Sequence, residues 1–171
     1  MLYGRYLFSS IFEGDAILPP YKGSTFRGAF GIALKKVVCA LKRQDCSDCL
    51  LKERCVYSFV FETPLKNNNP DGKKRLASPP HPYVIEPPEN TRTRFSKGEP
   101  FDFTVILFGR ANDYLPYFIY AFEQMGRLGI GKRIEGKRPG FSLKYVTTDN
   151  EPILILTDSV GKIAFYSKCS I

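Results

Sequence analysis

Four cysteines fall within 17 consecutive residues, in the spacing C-x6-C-x2-C-x5-C. They are Cys39, Cys46, Cys49 and Cys55. Four thiolates this close in sequence are able to hold one soft or borderline metal ion, such as Zn2+, or an iron–sulfur cluster. The pattern therefore predicts a loop at residues 39–55 that is closed by a structural Zn2+ ion, with an iron–sulfur cluster as the alternative.

Disulfide bonds or free thiols are the other chemical possibility for these cysteines. Disulfides are typical of secreted proteins, whereas the first residues of this chain alternate as a strand does and do not resemble a signal peptide. No apolar run approaches the ~20 residues needed to span a bilayer. We therefore expect a cytoplasmic protein with no membrane partner. The fifth cysteine, Cys169, is isolated in sequence and is interpreted as a small packing residue.

The chain is strongly basic. Its 171 residues include 25 Lys and Arg against 17 Asp and Glu, which gives a formal net charge of +8. A basic globular domain usually binds a polyanion such as RNA or DNA. Part of this charge lies on the first predicted helix and its approach, at Lys22, Arg27 and Lys35, and we expect these side chains to contact RNA phosphates.

The hydrophobic pattern predicts a mixed α+β fold. Apolar residues recur at helical spacing from about residue 24 to residue 41 and again after residue 112, and alternating or apolar runs predict strands. The predicted strands cover residues 2–12, 57–62, 83–86, 101–108 and 141–147, and a final pair at 152–157 and 163–166 predicts a hairpin. This order indicates a ferredoxin-like (βαββαβ) antiparallel sheet with two helices on one face.

The same pattern suggests how the chain is divided. We interpret residues 1–148 as one ferredoxin-like domain that includes the cysteine-rich loop 39–55. Residues 149–171 are interpreted as a C-terminal β-hairpin extension that leads to a second unit absent from this sequence.

A glycine-rich segment follows the second predicted helix. Gly126, Gly129, Gly131, Gly136 and Gly140 are interleaved with cations, and these cations are Arg127, Lys132, Arg133, Lys137 and Arg138. Glycine lets a backbone approach a phosphate closely, and Arg and Lys supply the opposite charge. The segment therefore favours an RNA-backbone-binding loop. A helix C-cap followed by a flexible connector is the alternative interpretation.

An ordered series of motifs resembles one known family. The series comprises Leu18–Gly31, the four-cysteine insert, the Phe-Glu-Thr-Pro sequence at 61–64, Tyr83–Pro88, Phe108–Arg110, Tyr114–Tyr117 and the stretch from Gly126 to Gly140. It resembles CRISPR-associated repeat-processing endoribonucleases of the RAMP superfamily, and the resemblance extends over nearly the whole chain. Members of that family usually contain two ferredoxin-like units in tandem, whereas this chain is long enough for one.

The resemblance implies a function as well as a fold. It implies binding of CRISPR repeat RNA and its metal-independent cleavage, in which a ribose 2′-hydroxyl attacks the neighbouring phosphate. Many members use a histidine near the first helix, and this helix has none. The weak catalytic candidates are Tyr21, Lys22 and His81, the sole histidine. A Zn2+ ion held by four thiolates would be structural, because no coordination position is left for water.

Two other functions are compatible with the sequence. The first is a non-cleaving RNA-binding subunit of a CRISPR effector complex, with other CRISPR-associated subunits as partners. The second is a metal-stabilised protein-interaction module in which the charge is incidental. Added salt should weaken phosphate binding steeply and should affect an apolar protein interface much less.

Overall fold

The computed structural model describes residues 3–42, 45–62 and 80–148, together with the backbone of strands at 151–156 and 163–165. Its strands are β1 (Tyr3–Phe12), β2 (Ala16–Ile17), β3 (Tyr83–Glu86), β4 (Arg94–Phe95), β5 (Phe103–Phe108), β6 (Phe141–Thr148), β7 (Glu151–Leu156) and β8 (Ile163–Phe165). The two α-helices are α1 (Gly23–Val38) and α2 (Leu115–Leu128).

The main sheet has the strand order β3-β5-β1-β6-β7-β8, and every neighbouring pair is antiparallel. Its first four strands, joined through α1 and α2, have the connectivity of a ferredoxin-like fold, as the sequence predicts. The predicted terminal hairpin is also present, because β7 and β8 pair and extend the same sheet beyond β6. A separate two-stranded sheet, β2-β4, lies outside this arrangement.

The core between the helices and the sheet is built mainly from phenylalanine. Phe26 and Phe30 project from α1 and are both fully buried. The ring centroid of Phe30 lies 4.7 Å from that of Phe122 on α2, and the Phe26 ring packs 5.2 Å from Phe103 on β5. Burial of each such side chain contributes roughly 1.5–3 kcal/mol, so these contacts fix the rotation of α1 about its own axis.

One predicted element is wrong. Residues 57–62 were expected to form a strand because aromatic residues alternate there, but Ser58–Glu62 forms a π-helical turn. Helical geometry brings Tyr57 and Phe61 together, with ring centroids 5.4 Å apart, and buries Val60 completely. Apolar side chains placed four residues apart meet on a helical turn, and a strand would separate them.

Within the part of the chain that the structure describes, no helix is both long and apolar enough to cross a membrane.

Truncation of Phe30 is expected to destabilise the fold strongly. Phe30→Ala should lower the free energy of unfolding by about 3–5 kcal/mol, because it leaves a cavity among the rings of both helices. Denaturant-induced unfolding measures the change.

Ile32→Ala is the matched control, since Ile32 lies on the same helix with 63% of its surface exposed. Its effect should stay within about 0.5 kcal/mol. Equal losses in the two variants would contradict the assignment of Phe30 to the core.

Candidate nucleic-acid interface

Helix α1 lies between two surface grooves. The first, here called the glycine groove, has a volume of about 540 Å³. It is lined by Ile17, Leu18, Pro19, Ser24, Thr25, Gly28, Ala29, Ile32, Ile130, Gly131, Lys132 and Arg138. The second, here called the histidine groove, has a volume of about 410 Å³ and is lined by Tyr21, Gly23, Ser24, Arg27, His81, Tyr83, Val84 and Ile85. Ser24 borders both grooves, so they adjoin at the start of α1.

The glycine groove combines an open helix surface with two cations. Gly28 is exposed on α1, and a Cβ atom added there would meet nothing within 4 Å. Lys132 and Arg138 face it from the glycine-rich segment. An α-helix that exposes its backbone opposite Lys and Arg offers room and charge for a phosphodiester chain.

Two of the three glycines of α1, Gly28 and Gly31, have different surroundings. At Gly31 an added Cβ atom would lie 2.5 Å from the ring of Phe61, so a larger residue there would displace that ring from its place against α1. Gly28 has no such neighbour. Glycine inside a helix is less stable than alanine by roughly 0.5–1 kcal/mol. The packing of the described residues therefore does not explain the glycine at position 28.

The glycine-rich segment is both a helix cap and a pinned loop. Gly129, with a φ of 75°, ends α2 and donates its N–H to the carbonyl of Met125. Lys132 then donates its N–H to the carbonyl of Ile17 at 2.9 Å, which fastens the loop beside β2. Gly131 has a φ of 83°, and an added Cβ atom would collide with the Ile17 carbonyl. The loop therefore holds Lys132 in place and is not merely a connector.

The histidine groove brings together residues that are distant in sequence. The guanidinium Nη2 of Arg27 donates a hydrogen bond to Nε2 of His81 at 2.8 Å. The same guanidinium lies 5.3 Å from the ring centroid of Phe61, a cation–π distance. Tyr21 lines the groove with 75% of its surface exposed. Two of the three catalytic candidates, Tyr21 and His81, thus share one groove with Arg27.

The surroundings of His81 favour its neutral form. Burial, and then the positive charge of Arg27, lower the pKa of His81, while a backbone hydrogen bond with Val60 opposes the change. Because an arginine can only donate, Nε2 of His81 must accept in this contact. The ring of Tyr83 lies nearby, tilted by 45° at 5.9 Å between ring centroids. Burial raises the pKa of Tyr83 to about 12, so it stays uncharged.

The third catalytic candidate, Lys22, is placed differently. Only 1% of Lys22 is exposed, and its Nζ donates to the carbonyls of Asn90 at 2.5 Å and Pro20 at 3.3 Å. Burial, and then the charge of Arg92, lower the pKa of Lys22. In this structure Lys22 ties the start of α1 to the segment after β3, and it presents no exposed surface to RNA.

The other predicted RNA contacts lie at several places. Arg133 and Lys137 are exposed on the glycine-rich loop beside the glycine groove. Arg127 lies in the last turn of α2 and forms an ion pair with Glu123 at 2.5 Å. Lys35 lies away from both grooves, over the ring of Tyr57 at 5.5 Å and hydrogen-bonded to Cys46.

The four cysteines line one small cavity of about 20 Å³. All four are free, partly buried thiols. Two short 3-10 turns, Cys46–Asp48 and Lys52–Arg54, help to place the four residues around the same cavity. Burial, and then the nearby Glu62, raise the pKa of Cys46, whereas the hydrogen bond from Lys35 opposes the rise. The same hydrogen bond raises the pKa of Lys35.

The described residues that line this cavity are of the right type to bind a metal, but their arrangement does not form a metal site. Four sulfur donors around one cavity are the ligand set that Zn2+ accepts in structural sites. Yet among the described residues no three His, Cys, Asp or Glu side chains form a group that could hold a metal ion. A bound ion would therefore require the two 3-10 turns to close around it.

Sequence reasoning missed the role of polar and aromatic neighbours. Ser24 lies where the two grooves meet, and Phe61 packs beneath Arg27. Asn112 accepts a hydrogen bond from the hydroxyl of Tyr6 at 2.9 Å, which joins β1 to the turn before α2. None of these residues has a local sequence signal, because each depends on a partner far along the chain.

Comparison with known proteins gives a family, one relative and one similar solved structure. A protein of Archaeoglobus fulgidus, described as an uncharacterized protein, is 33% identical over 114 residues, covering 66% of this chain and 37% of that protein. The chain thus matches little more than a third of that relative's length. The crystal structure of a Csm3-Csm4 subcomplex in the type III-A CRISPR-Cas interference complex has a TM-score of 0.49 and 15% identity, over 85% of this chain and 78% of that chain.

The family comparison spans almost the whole sequence. The model of the AF_1859_N N-terminal domain matches residues 1–164. This range includes five strands of the main sheet in full and the first two residues of the sixth, β8. By this match the chain belongs to the AF_1859_N N-terminal domain family.

Proposed function

We propose that this chain binds CRISPR repeat RNA and belongs to a repeat-processing endoribonuclease. The observation that carries the proposal is the glycine groove, in which the bare backbone at Gly28 faces Lys132 and Arg138. The sequence resemblance supplies the RNA class, and the net charge of +8 supplies long-range attraction for a polyanion. The expected partners are the repeat RNA and other CRISPR-associated subunits, in the cytoplasm.

The proposed binding mode is recognition of the RNA backbone. Arg and Lys neutralise phosphates, and a helix surface without a side chain allows the sugar–phosphate chain to approach closely. Arg133 and Lys137 extend the same positive surface along the exposed loop. Affinity that arises in this way depends strongly on salt, because binding releases counterions from the RNA.

The proposed reaction is cleavage of the bound RNA at the histidine groove. The ribose 2′-oxygen forms a bond to phosphorus, and the bond from phosphorus to the 5′-oxygen breaks. The proton of the 2′-hydroxyl passes to a base, and the departing 5′-oxygen takes a proton from an acid. The products are a 2′,3′-cyclic phosphate and a 5′-hydroxyl. His81 is the proposed base, and Arg27 is positioned to stabilise the charge that develops on the phosphorane.

A non-cleaving RNA-binding subunit is the second candidate. The observation in its favour is that Nε2 of His81 already accepts a hydrogen bond from Arg27 and is not available as a base in this arrangement. A protein-interaction module is the third candidate. It is favoured by Leu50 and Leu51 beside the cysteines, which are 94% and 47% exposed.

We also propose that the four cysteines bind one structural metal ion, with Zn2+ ahead of an iron–sulfur cluster. The shared cavity and the four sulfur donors support the proposal. Tyr57 lines the same cavity and stacks on Phe61, so closure of the cysteine loop would also hold the π-helical turn beside α1.

Charge reversal in the glycine groove is expected to weaken RNA binding. Lys132→Glu combined with Arg138→Glu should lower affinity for repeat RNA at least about tenfold, and the loss of two phosphate contacts should flatten the salt dependence by about 1.4 in log–log slope. Gel-shift titrations at several salt concentrations measure both quantities.

The control is Lys36→Glu combined with Lys97→Glu, which makes the same change in net charge at exposed positions outside both grooves. An equal loss in the control pair would mean that total charge, and not the groove, determines binding. An affinity that does not change with salt concentration would instead favour the protein-interaction module.

Cleavage is expected in the absence of divalent metal. Labelled repeat RNA incubated with the chain in EDTA should give one discrete cut ending in a cyclic phosphate, and His81→Asn should slow the cut by about 10²-fold or more while RNA stays bound. A denaturing gel measures the rate, and a native gel measures binding. RNA that is bound but never cut would support the non-cleaving subunit instead.

Loss of one thiol is expected to release the metal. Cys46→Ser or Cys49→Ser should lower the melting temperature and the metal content of the purified protein, because three thiolates hold the ion less tightly than four. Elemental analysis and thermal melting measure the two effects.

Cys169→Ser provides the control, since Cys169 is not one of the four proposed ligands and lies outside the described residues. Unchanged metal content and melting in both cysteine-loop variants would disprove the metal site.

A further inference from the structure

The contact between Arg27 and His81 joins a cation to a neutral acceptor. A phosphate carries the opposite charge to a guanidinium and can accept two parallel hydrogen bonds from it, whereas one neutral imidazole nitrogen accepts a single bond and carries no charge. The imidazole of His81 is therefore a weaker partner than an RNA phosphate would be. The guanidinium also rests on the ring of Phe61 at 5.3 Å, and this contact does not require the hydrogen bond to His81.

The charge that lowers the pKa of His81 is that of Arg27, and several neutral groups also face the imidazole. From β3, Tyr83 is held neutral by burial, and from the π-helical turn come the ring of Phe61 and the backbone of Val60. From the groove wall, Tyr21 contributes an exposed phenol ring. A change in the position or pairing of Arg27 therefore changes the pKa of the His81 imidazole directly.

We propose that the histidine groove is a phosphodiester-binding site in which Arg27 exchanges partners. The guanidinium leaves Nε2 of His81 for the phosphate of a bound nucleotide, and the freed Nε2 then faces that nucleotide. This inference rests on the proposed RNA binding and adds where one phosphate sits and what it does to His81. Until a phosphate arrives, Arg27 keeps Nε2 of His81 occupied.

The sign of the expected pH effect follows from charge. In the free protein, burial and Arg27 hold the pKa of His81 below its ordinary value. A bound phosphate neutralises Arg27 and adds a negative charge nearby, so the pKa of His81 should rise on binding. The bound form then holds more protons than the free form. Phosphodiester binding should therefore be strongest below the free-state pKa and weaken as pH rises through the bound-state pKa.

The sole histidine makes the test direct, because an imidazole NMR signal of the chain can come only from His81. The probe is a DNA dinucleotide with one internal phosphodiester, which lacks a 2′-hydroxyl and cannot be cleaved by the proposed reaction. Its control is the same dinucleotide with an uncharged methylphosphonate linkage. With the phosphodiester present, the midpoint of the His81 titration should rise by about one pH unit, and the methylphosphonate should leave it unchanged.

Variants separate the Arg27 contact from a general effect of charge. Arg27→Gln should raise the midpoint in the free protein and abolish the response to the dinucleotide. Arg110→Gln is the matched control, because Arg110 also lies over an aromatic ring, Phe59 at 5.8 Å, and is outside the groove. It should titrate as the unchanged protein does, with and without the probe.

Two results would overturn the inference. One is a His81 midpoint that the phosphodiester leaves unchanged, and the other is an equal response to the methylphosphonate. Gel shifts with repeat RNA, run on the same samples, separate this failure from that of the proposed function. RNA bound with His81 unaffected would reject the partner exchange alone, and absence of both responses would reject RNA binding as well.

Discussion

The contacts of Phe26 and Phe30 with the sheet and with α2 determine how the rest of this structure is presented. An α-helix has only one rotation that buries a given apolar face. Once these two rings are seated, the residues between them are directed outward on either side of α1. Arg27 then lies at the histidine groove and Gly28 at the glycine groove. Packing in the core thus determines which side of α1 faces each groove, and the loop bonded to Ile17 adds Lys132 to the glycine groove.

Local pattern predicted much of the fold, because most of its helices and strands depend on nearest neighbours along the chain. The spacing of apolar residues located α1 and α2, and alternation located β1, β3 and β5. It failed at residues 57–62, where alternating aromatics are equally compatible with pairing along a helical turn. Only contacts with α1, including the fit of Phe61 against Gly31, distinguish the two.

The candidate site was less predictable than the fold. Positive charge in the glycine-rich segment was visible in sequence, and Lys132 and Arg138 do line a groove with α1. The contact between Arg27 and His81 joins residues 54 positions apart, and no local pattern reports it. Lys22 was expected to be exposed, like its neighbours in sequence. It is buried instead, because its ammonium group donates a hydrogen bond to the carbonyl of Asn90, 68 positions away.

Gly28 also has a meaning for how this domain would change under selection. An alanine there would fit without collision and would strengthen α1 by roughly 0.5–1 kcal/mol. A laboratory screen for heat resistance alone would therefore favour that replacement, since nothing in the described packing opposes it. A lineage that must keep the helix surface bare for a ligand would retain the glycine. The choice between glycine and alanine at this position therefore depends on whether helix stability or ligand access to the helix surface is the stronger requirement.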